Sequence, residues 1–271
     1  MTAAARDSTA VRSAADLLTR AVRTGTAIAP VRTLIGDTDA EVAYAVQRRI
    51  NDERVGAGAV VVGHKIGLTS PAVQRQLGVD QPDFGILFAD MDVSGRASAV
   101  PIDRLIQPKI EAEIAFVLAA DLAEGPLDER QVADAVGHAV AALEIVDSRV
   151  ANWDITITDT IADNASSALF VLADHGLALD AFDPAAATMT LRRNGETISQ
   201  GTGQDCLGSP LAALGWLAGV ARDNGDPLRA GQIVLSGALG PMVEARAGDS
   251  FSADISPLGS VSVTFGPQEG S

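Results

Sequence analysis

Residues 107–118, QPKIEAEIAFVL, contain the clearest structural pattern of the chain. From residue 110 onward the chain alternates, so that one face carries Ile110, Ala112, Ile114 and Phe116 and the other carries Glu111, Glu113 and Ala115. A period of two predicts a β-strand, because successive side chains of a strand point to opposite faces of the sheet. The strand therefore offers an apolar face to the core and places two carboxylates together on its other face.

This pair of carboxylates is the sharpest chemical signal in the chain. Glu111 and Glu113 repel each other when both are ionised, unless a cation lies between them or solvent screens them. Hard divalent cations such as Mg²⁺ and Mn²⁺ are bound by oxygen ligands of this kind. The pattern predicts either a metal site or the solvent-exposed face of an antiparallel strand.

Glu144 is a third acidic candidate, because it stands inside the apolar run of residues 141–146, AALEIV. We expect an inward-facing carboxylate here, and a buried carboxylate needs a partner. That partner could be a metal ion or, as a structural salt bridge, Arg149. None of the three histidines shows the paired spacing of a zinc site, so zinc is not predicted.

Three further features are candidates for binding and acid–base chemistry. Lys65 lies near the end of an apolar run; inside the protein it would be an acid–base group or an anion clamp, whereas at an exposed strand end it would be neither. Asp83, in Pro82-Asp83-Phe84-Gly85, is either a general base or the cap of a turn. The turn at residues 236–241, SGALGP, has glycines that would let backbone N–H groups approach a carboxylate or enolate.

The order of predicted elements favours an α+β fold over regularly alternating strands and helices. Helical spacing is seen over residues 8–54 and 128–143, and a helix is expected at 210–223. Residues 59–62, AVVV, predict a buried strand, and a short strand is expected at 144–146. Most other strands are predicted in the last third, at 187–192, 233–236, 242–245, 250–255 and 260–265, with a hairpin turn at Asn194-Gly195.

Composition excludes several classes of partner. The formal net charge of −15 disfavours nucleic acid and anionic membranes, since both are negatively charged. The single cysteine, Cys206, fits a reducing compartment, and the first ten residues lack the apolar segment of a signal peptide. We therefore expect a cytoplasmic protein. Only two lysines occur in the chain, Lys65 and Lys109, and both lie in the segments that carry the chemistry.

Six segments occur in an order that resembles one enzyme family. They are residues 63–69 (GHKIGLT), 78–85 (GVDQPDFG), 107–115 (QPKIEAEIA), 143–149 (LEIVDSR), 159–166 (DTIADNAS) and 237–242 (GALGPM). Together they resemble the 2-hydroxypenta-2,4-dienoate (2-keto-4-pentenoate) hydratases of the fumarylacetoacetate hydrolase superfamily. The resemblance implies a mixed β-roll core as the catalytic domain over residues 56–271, preceded by a small helical region over residues 1–55.

The resemblance also implies the roles of particular residues. Glu111, Glu113 and Glu144 would hold Mg²⁺ or Mn²⁺. The catalytic residues would be Lys65, Asp83 and Ser166, and it stays open which of Lys65 and Asp83 is the acid and which the base. Substrate would contact Leu68, Gly237, Ala238 and Leu239. Lys109 stands where arginine is more usual in this family, and lysine lacks the planar fork needed for bidentate recognition.

The implied reaction is the hydration of 2-hydroxypenta-2,4-dienoate to 4-hydroxy-2-oxopentanoate in the meta-cleavage catabolism of aromatic or steroid rings. The implied enzyme is a homo-oligomer, and an aldolase is a plausible downstream partner. Two other enzyme activities compete with this hypothesis: decarboxylation of 4-oxalocrotonate and hydrolysis of an acylpyruvate. A non-catalytic stabilising or channelling subunit is an alternative of another class.

Overall fold

The computed structural model describes residues 8–70, 74, 81–96 and 98–267, so that residues 78–80 of the predicted 78–85 motif lie outside the described part. Its helices are α1 (Thr9–Thr24), α2 (Arg32–Ile35), α3 (Ala40–Gly56), α4 (Glu129–Ala135), α5 (Ile157–Ala162) and α6 (Pro210–Asp223). Its strands are β1 (Val61–Gly67), β2 (Asp83–Phe88), β3 (Pro108–Leu118), β4 (Val136–Asp147), β5 (Ser167–Leu177), β6 (Thr188–Arg193), β7 (Glu196–Thr202), β8 (Ile233–Ala238), β9 (Val243–Glu244), β10 (Ser250–Ser256) and β11 (Gly259–Thr264). Among the described residues, no helix is both long enough and apolar enough to cross a membrane.

The helices α1 to α3 confirm the helical character predicted for residues 8–54. The first helix begins where the Ser8 side chain accepts a hydrogen bond from the Val11 N–H, which satisfies one of the unpaired donors of a helix start. Apolar residues of α1 and α3 form one buried cluster with Ile161 of α5. Gln47 of α3 donates hydrogen bonds to the carbonyl oxygens of Phe84 and Ile161, at 2.8 and 2.9 Å, and so connects this region to β2. The division of the chain at residue 55 stays a prediction.

The larger sheet has the strand order β2-β1-β8-β3-β4-β5, and β9 extends it beside β3. Strands β1 and β8 run parallel, while the other neighbours are antiparallel. Beyond β2 the chain returns to the opposite edge, where the Val93 N–H donates to the Phe170 carbonyl oxygen of β5. The sheet therefore curls, and its central strands β3 and β4 are largely buried on both faces.

The smaller sheet, of order β11-β10-β6-β7, packs against the larger one. Asn194, with φ 52°, and Gly195, with φ 87°, form the turn between β6 and β7 that the sequence predicts. Inward residues of this sheet, among them Leu191, Phe251 and Ala253, belong to the main core. The α+β class is confirmed, as are the late strands β6 and β8 to β11 and the helix Pro210–Asp223.

The helix predicted over residues 128–143 is wrong in its second half. Helix α4 ends at Ala135, and β4 begins at Val136 and continues to Asp147. This strand is central in the larger sheet, and residues of both its faces are buried over most of its length. A strand buried on both faces has a nearly continuous apolar sequence, which periodicity alone does not distinguish from a buried helix.

The buried strand predicted at residues 59–62 is also displaced. The strand begins at Val61, and the side chains of Val60 and Val61 are 62% and 37% exposed. Burial starts instead at Gly63, where β1 pairs with β8 on one side and β2 on the other. An added Cβ at Gly63 would lie 1.9 Å from the Ile233 carbonyl oxygen, so only glycine allows this close approach of the two strands.

Candidate active site

Three carboxylates come together on one face of the β3–β4 pair. Glu111 is directly opposite Glu144 in the antiparallel register, and Glu113 is two residues further along β3 on the same face. One oxygen from each of these three side chains lies within 4.8 Å of the others. The strand alternation and the β3–β4 register therefore produce the cluster, and the exposed-strand alternative for the Glu111 and Glu113 pair is wrong.

The innermost carboxylates have oxygen atoms without hydrogen-bond partners. Glu113 and Glu144 are fully buried, and neither oxygen of Glu144 accepts a hydrogen bond. One oxygen of Glu113 accepts the Gly237 N–H at 2.8 Å, while the other has no partner. Gly237 has a φ of 112°, and a Cβ there would lie 2.4 Å from Thr69 Oγ1, so the turn needs glycine at this position. The 236–241 turn thus presents an N–H to a carboxylate of the protein itself.

Lys65 is the cation that faces these carboxylates. Its side chain is buried, with Nζ 3.3 Å from Glu144 Oε2, and it donates a hydrogen bond of 2.9 Å to the Ala165 carbonyl oxygen. Burial by itself lowers the pKa of Lys65, but the charge of Glu144 and the other nearby carboxylates outweighs burial and raises that pKa. Lys65 is therefore an ammonium at neutral pH, and the exposed strand end considered for it is wrong.

Arg149 does not pair with Glu144, contrary to the alternative that the sequence left open. Its guanidinium forms an ion pair with Asp163 and hydrogen bonds to the carbonyl oxygens of Asp147 and Ser167. Burial raises the pKa of Asp163 to about 6, although Arg149 opposes that shift. This second buried ion pair supports the segment that leads into β5. Lys65, and not Arg149, is therefore the cation that pairs with Glu144.

Asp83 lies on the other side of Lys65, inside β2 and not in a turn. Thr160 Oγ1 donates to Asp83 Oδ2 at 3.3 Å, while the buried Oδ1 has no hydrogen-bond partner. Burial raises the pKa of Asp83, and the nearby charge of Lys65 opposes that rise. A Cβ at Gly67 would lie 2.2 Å from Asp83 Oδ1, so the glycine of β1 makes room for this carboxyl group.

Ser166 is connected to Asp83 through Thr160. The hydroxyl oxygens of Ser166 and Thr160 are 3.3 Å apart, and Ser166 must donate when Thr160 gives its single hydrogen to Asp83. The sequence analysis did not single out Thr160, although it lies within the 159–166 segment on which the family resemblance rests. Its position at the start of that segment was the available signal.

Positive charge is scarce in this cluster. Lys65 is surrounded by the carboxyl groups of Glu144, Asp83, Glu111 and Glu113. Burial, with the neighbouring carboxylates, raises the pKa of Glu111 to about 7 and that of Glu113 well above its ordinary value. A divalent cation bound by the three glutamates would supply the missing charge and would satisfy their unpartnered oxygens. The donor set is all oxygen, as hard cations prefer.

These groups border a cavity of about 460 Å³. Of the predicted site residues, the cavity is lined by Lys65, Leu68, Asp83, Glu111, Ser166 and Ala238. Glu113 and Glu144 lie behind Glu111, Gly237 contacts Glu113, and the buried Leu239 donates its N–H to the Ala112 carbonyl oxygen. A second cavity of about 500 Å³ lies between α1, α3 and β5, but none of the three glutamates, Lys65 or Asp83 lines it.

Comparisons with known proteins agree with this geometry. The family described as fumarylacetoacetate (FAA) hydrolase C-terminal matches residues 60–265. The chain is 54% identical to the TodF product hydratase of Pseudomonas putida strain F1, covering 94% of this chain and 95% of the relative. It is 51% identical to the 2-keto-4-pentenoate hydratase of Burkholderia vietnamiensis, with 96% and 98% covered. The structure of 4-oxalocrotonate decarboxylase from Pseudomonas putida G7, complexed with magnesium and adipate, superimposes with a TM-score of 0.89 at 31% identity, covering 94% and 97% of the two chains.

Proposed function

We propose that this chain, which belongs to the fumarylacetoacetate hydrolase family, is a metal-dependent hydratase that converts 2-hydroxypenta-2,4-dienoate to 4-hydroxy-2-oxopentanoate. The observation that carries the proposal is the buried Glu111, Glu113 and Glu144 cluster beside Lys65 at one cavity. Relatives that share about half of its residues over nearly the whole chain are named as hydratases. The enzyme is accordingly a hydro-lyase.

Glu111, Glu113 and Glu144 would hold the divalent metal, Mg²⁺ or Mn²⁺. Their unpartnered oxygens and the local excess of carboxyl groups fit a cation of this class. When bound, the cation supplies Lewis-acid chemistry that draws electrons from the carboxylate and 2-oxygen end of the substrate. Of the three glutamates only Glu111 also lines the cavity, so the substrate approaches this cluster from its side.

Asp83 is the better base of the two acid–base candidates. Its Oδ1 has no hydrogen-bond partner, and a raised pKa brings a carboxyl group closer to the range in which proton transfer is efficient. Lys65 remains protonated beside Glu144 and therefore cannot accept a proton from substrate or water. Lys65 would instead offset part of the negative charge of the surrounding carboxylates and donate a hydrogen bond to the substrate or its enol oxygen.

The hydrogen bonds that link Ser166, Thr160 and Asp83 would orient Asp83 as the base. Thr160 fixes one carboxyl oxygen of Asp83, so that the other remains available to take a proton from water or from the dienol. Ser166 lines the cavity and completes these hydrogen bonds. Leu68 and Ala238 would contact substrate directly, whereas Gly237 would act by holding Glu113 and Leu239 by anchoring the turn to β3.

The direct test follows the diene absorbance of freshly generated 2-hydroxypenta-2,4-dienoate with Mg²⁺ and with excess chelator. We expect decay that requires the metal, with 4-hydroxy-2-oxopentanoate as product, and loss of that decay in Glu144→Gln. Glu244→Gln is the matched control, because Glu244 is an exposed carboxylate paired with Arg246 outside the cluster. Decay that persists in chelator, or unchanged in Glu144→Gln, contradicts the metal role.

The similarity to 4-oxalocrotonate decarboxylase makes decarboxylation the second candidate. Release of carbon dioxide from 4-oxalocrotonate without hydration of the dienoate would favour decarboxylation. A protein that neither binds metal nor turns over either substrate would favour the alternative of a non-catalytic subunit. Our proposal includes a cytoplasmic homo-oligomer. It also places an aldolase after this enzyme, because the hydrated product is a 4-hydroxy-2-oxo acid that an aldolase can cleave.

A further inference from the structure

The cavity face of the β3–β4 pair contains two successive rows of side chains. The first row is Glu111 opposite Glu144, and the second, two residues along each strand, is Lys109 opposite Val146. The rows are about 7 Å apart, because a strand rises about 3.4 Å per residue. Val146 lines the cavity, whereas the fully buried Glu113 on the other side of the first row does not. The cavity thus extends from the metal-binding row toward the second row.

Trp153 covers Lys109 in that second row. The Lys109 ammonium lies 4.2 Å from the centre of the indole ring, a cation–π contact. The indole N–H donates to the Gln107 carbonyl oxygen at 3.0 Å, which fixes the orientation of the ring. Trp153 lines the cavity, while Lys109 is not among the described lining residues. The indole therefore separates the ammonium group from the cavity.

The backbone that carries Trp153 has an uncommon conformation. Asn152 and Trp153 both have positive φ values, 60° and 54°. For a residue with a side chain this left-handed conformation is unfavourable. Backbone strain of this kind persists where the surrounding contacts over-determine it, and here the Gln107 and Lys109 contacts hold the ring at the cavity wall.

The cavity that Trp153 lines has the apolar side chains of Val146, Ile155, Pro241 and Met242, together with the polar Gln200 and the acidic Asp205. Lys65 is the one basic residue among the described lining residues, and it is already engaged by Glu144 and the Ala165 carbonyl oxygen. A carboxylate placed against these apolar side chains would lose its hydration without gaining a cationic partner, which is costly.

We propose that Trp153 is a specificity-determining residue that restricts the site to 2-oxo acids with one carboxylate and an apolar tail. It presents its indole to the tail and keeps the Lys109 charge away from a second carboxylate at the far end. This inference rests on the proposed function, because the metal-binding row is what sets the direction in which the substrate chain extends.

The test compares two six-carbon probes, 2-oxohexanoate and 2-oxoadipate, by titration calorimetry with Mg²⁺ present. Both probes have the same chelating end, and only the second has a carboxylate on its tail. We expect the wild-type protein to bind 2-oxohexanoate at least about tenfold more tightly, because an unpaired buried carboxylate costs upward of about 1.4 kcal/mol. Trp153→Ala exposes the Lys109 ammonium and is expected to bring the affinity for 2-oxoadipate level with, or above, that for 2-oxohexanoate.

Three control variants distinguish a specificity role of Trp153 from a general disturbance of the site. Trp153→Phe keeps an aromatic cover and should retain the wild-type preference, and Lys109→Met alone should retain it too. The Trp153→Ala, Lys109→Met double variant should lose the gain for 2-oxoadipate. Equal binding of the two probes by the wild type, or a gain that survives in the double variant, overturns the inference and leaves the hydratase proposal intact. If neither probe binds in the presence of Mg²⁺, the proposed function itself fails.

Discussion

Metal binding should displace protons from the glutamate cluster. In the metal-free protein burial raises the pKa of Glu111 to about 7 and that of Glu113 well above its ordinary value. At pH 7 Glu111 is then about half protonated, and the raised pKa of Glu113 favours its protonated form, while the glutamates must be ionised to hold a cation. Binding of one Mg²⁺ should therefore release at least about half a proton at this pH, the share of Glu111, and the raised pKa of Glu113 adds to that count.

The sign of the pH dependence follows from the same pKa values. Raised carboxyl pKa values stabilise the protonated, metal-free form, so protons compete with the metal and affinity falls as the pH is lowered. Between pH 6 and pH 7 the dissociation constant should drop by at least about fivefold, the effect expected from the titration of Glu111 alone, and the raised pKa of Glu113 acts in the same direction. The dependence of Mg²⁺ affinity on pH should level off only at a pH at which the glutamates of the wild-type protein are already ionised.

Calorimetric titrations of the metal-free protein with Mg²⁺, in buffers of different ionisation enthalpy, count the released protons directly. Glu111→Gln removes the group that titrates near pH 7 and should lower the count at that pH by about half a proton while weakening binding. A proton count near zero, or a dissociation constant independent of pH, would show that the glutamates are ionised without metal and would refute the reasoning.

Three further predictions concern single side chains around the site. Asp83→Asn should lower kcat by about 10²–10⁴-fold, the usual contribution of a general base, and leave the Mg²⁺ affinity measured by titration within about twofold. Gly67→Ala should cause a comparable loss of kcat because its Cβ would lie 2.2 Å from Asp83 Oδ1, whereas Gly56→Ala, with open space around it, should not; equal rates in both would contradict this. Burial lowers the pKa of His64 to about 4, so its neutral form contributes stability above pH 6.5 that is lost as the pH falls to about 4. Urea unfolding should show that the free energy of unfolding of the wild type falls by up to about 3 kcal/mol relative to that of His64→Leu over that range. If the two proteins lose the same stability as the pH falls, the prediction is wrong.

Local periodicity was sufficient to predict part of the site. The alternation around residue 110 placed Glu111 and Glu113 on one face, and the apolar run around Glu144 indicated that this carboxylate is buried. Both conclusions depend only on the geometry of a strand and on the cost of an unpaired buried charge. The residues around Lys65 and Asp83 had already made both candidates, the family resemblance added Ser166 and Leu68, and the structure brings all four to the same cavity.

The partners of these residues could not be predicted, because each contact joins distant parts of the chain. Lys65 reaches Ala165 across 100 positions and Asp83 reaches Thr160 across 77. From sequence alone Arg149 was as good a partner for Glu144 as any cation, since it is only five residues away. Strand β4 was misjudged for a related reason: its faces are covered by distant parts of the chain, among them β10 and β11 of the smaller sheet, which local spacing does not reveal.

The segment that precedes β5 shows how the fold and the site depend on the same contacts. Asn164, Ala165 and Ser166 have φ values of 54°, 52° and 53°, three successive residues in the left-handed region. Such a run is unfavourable for residues with side chains and needs external support. Asn164 obtains it by accepting from the Ile86 N–H and donating to the Ile86 carbonyl oxygen, each at 2.9 Å.

That conformation is what directs the neighbouring groups into the site. It points the Ala165 carbonyl oxygen at Lys65 and sets the Ser166 hydroxyl beside Thr160. Asn164→Ala would remove both contacts to Ile86 and leave two partly buried backbone groups of β2 without those partners. The strained turn would then relax, and the ammonium and the hydroxyl would lose their positions together. The strain is therefore retained because the turn orients two site residues at once, and no regular helix or strand would present both of them to the same cavity.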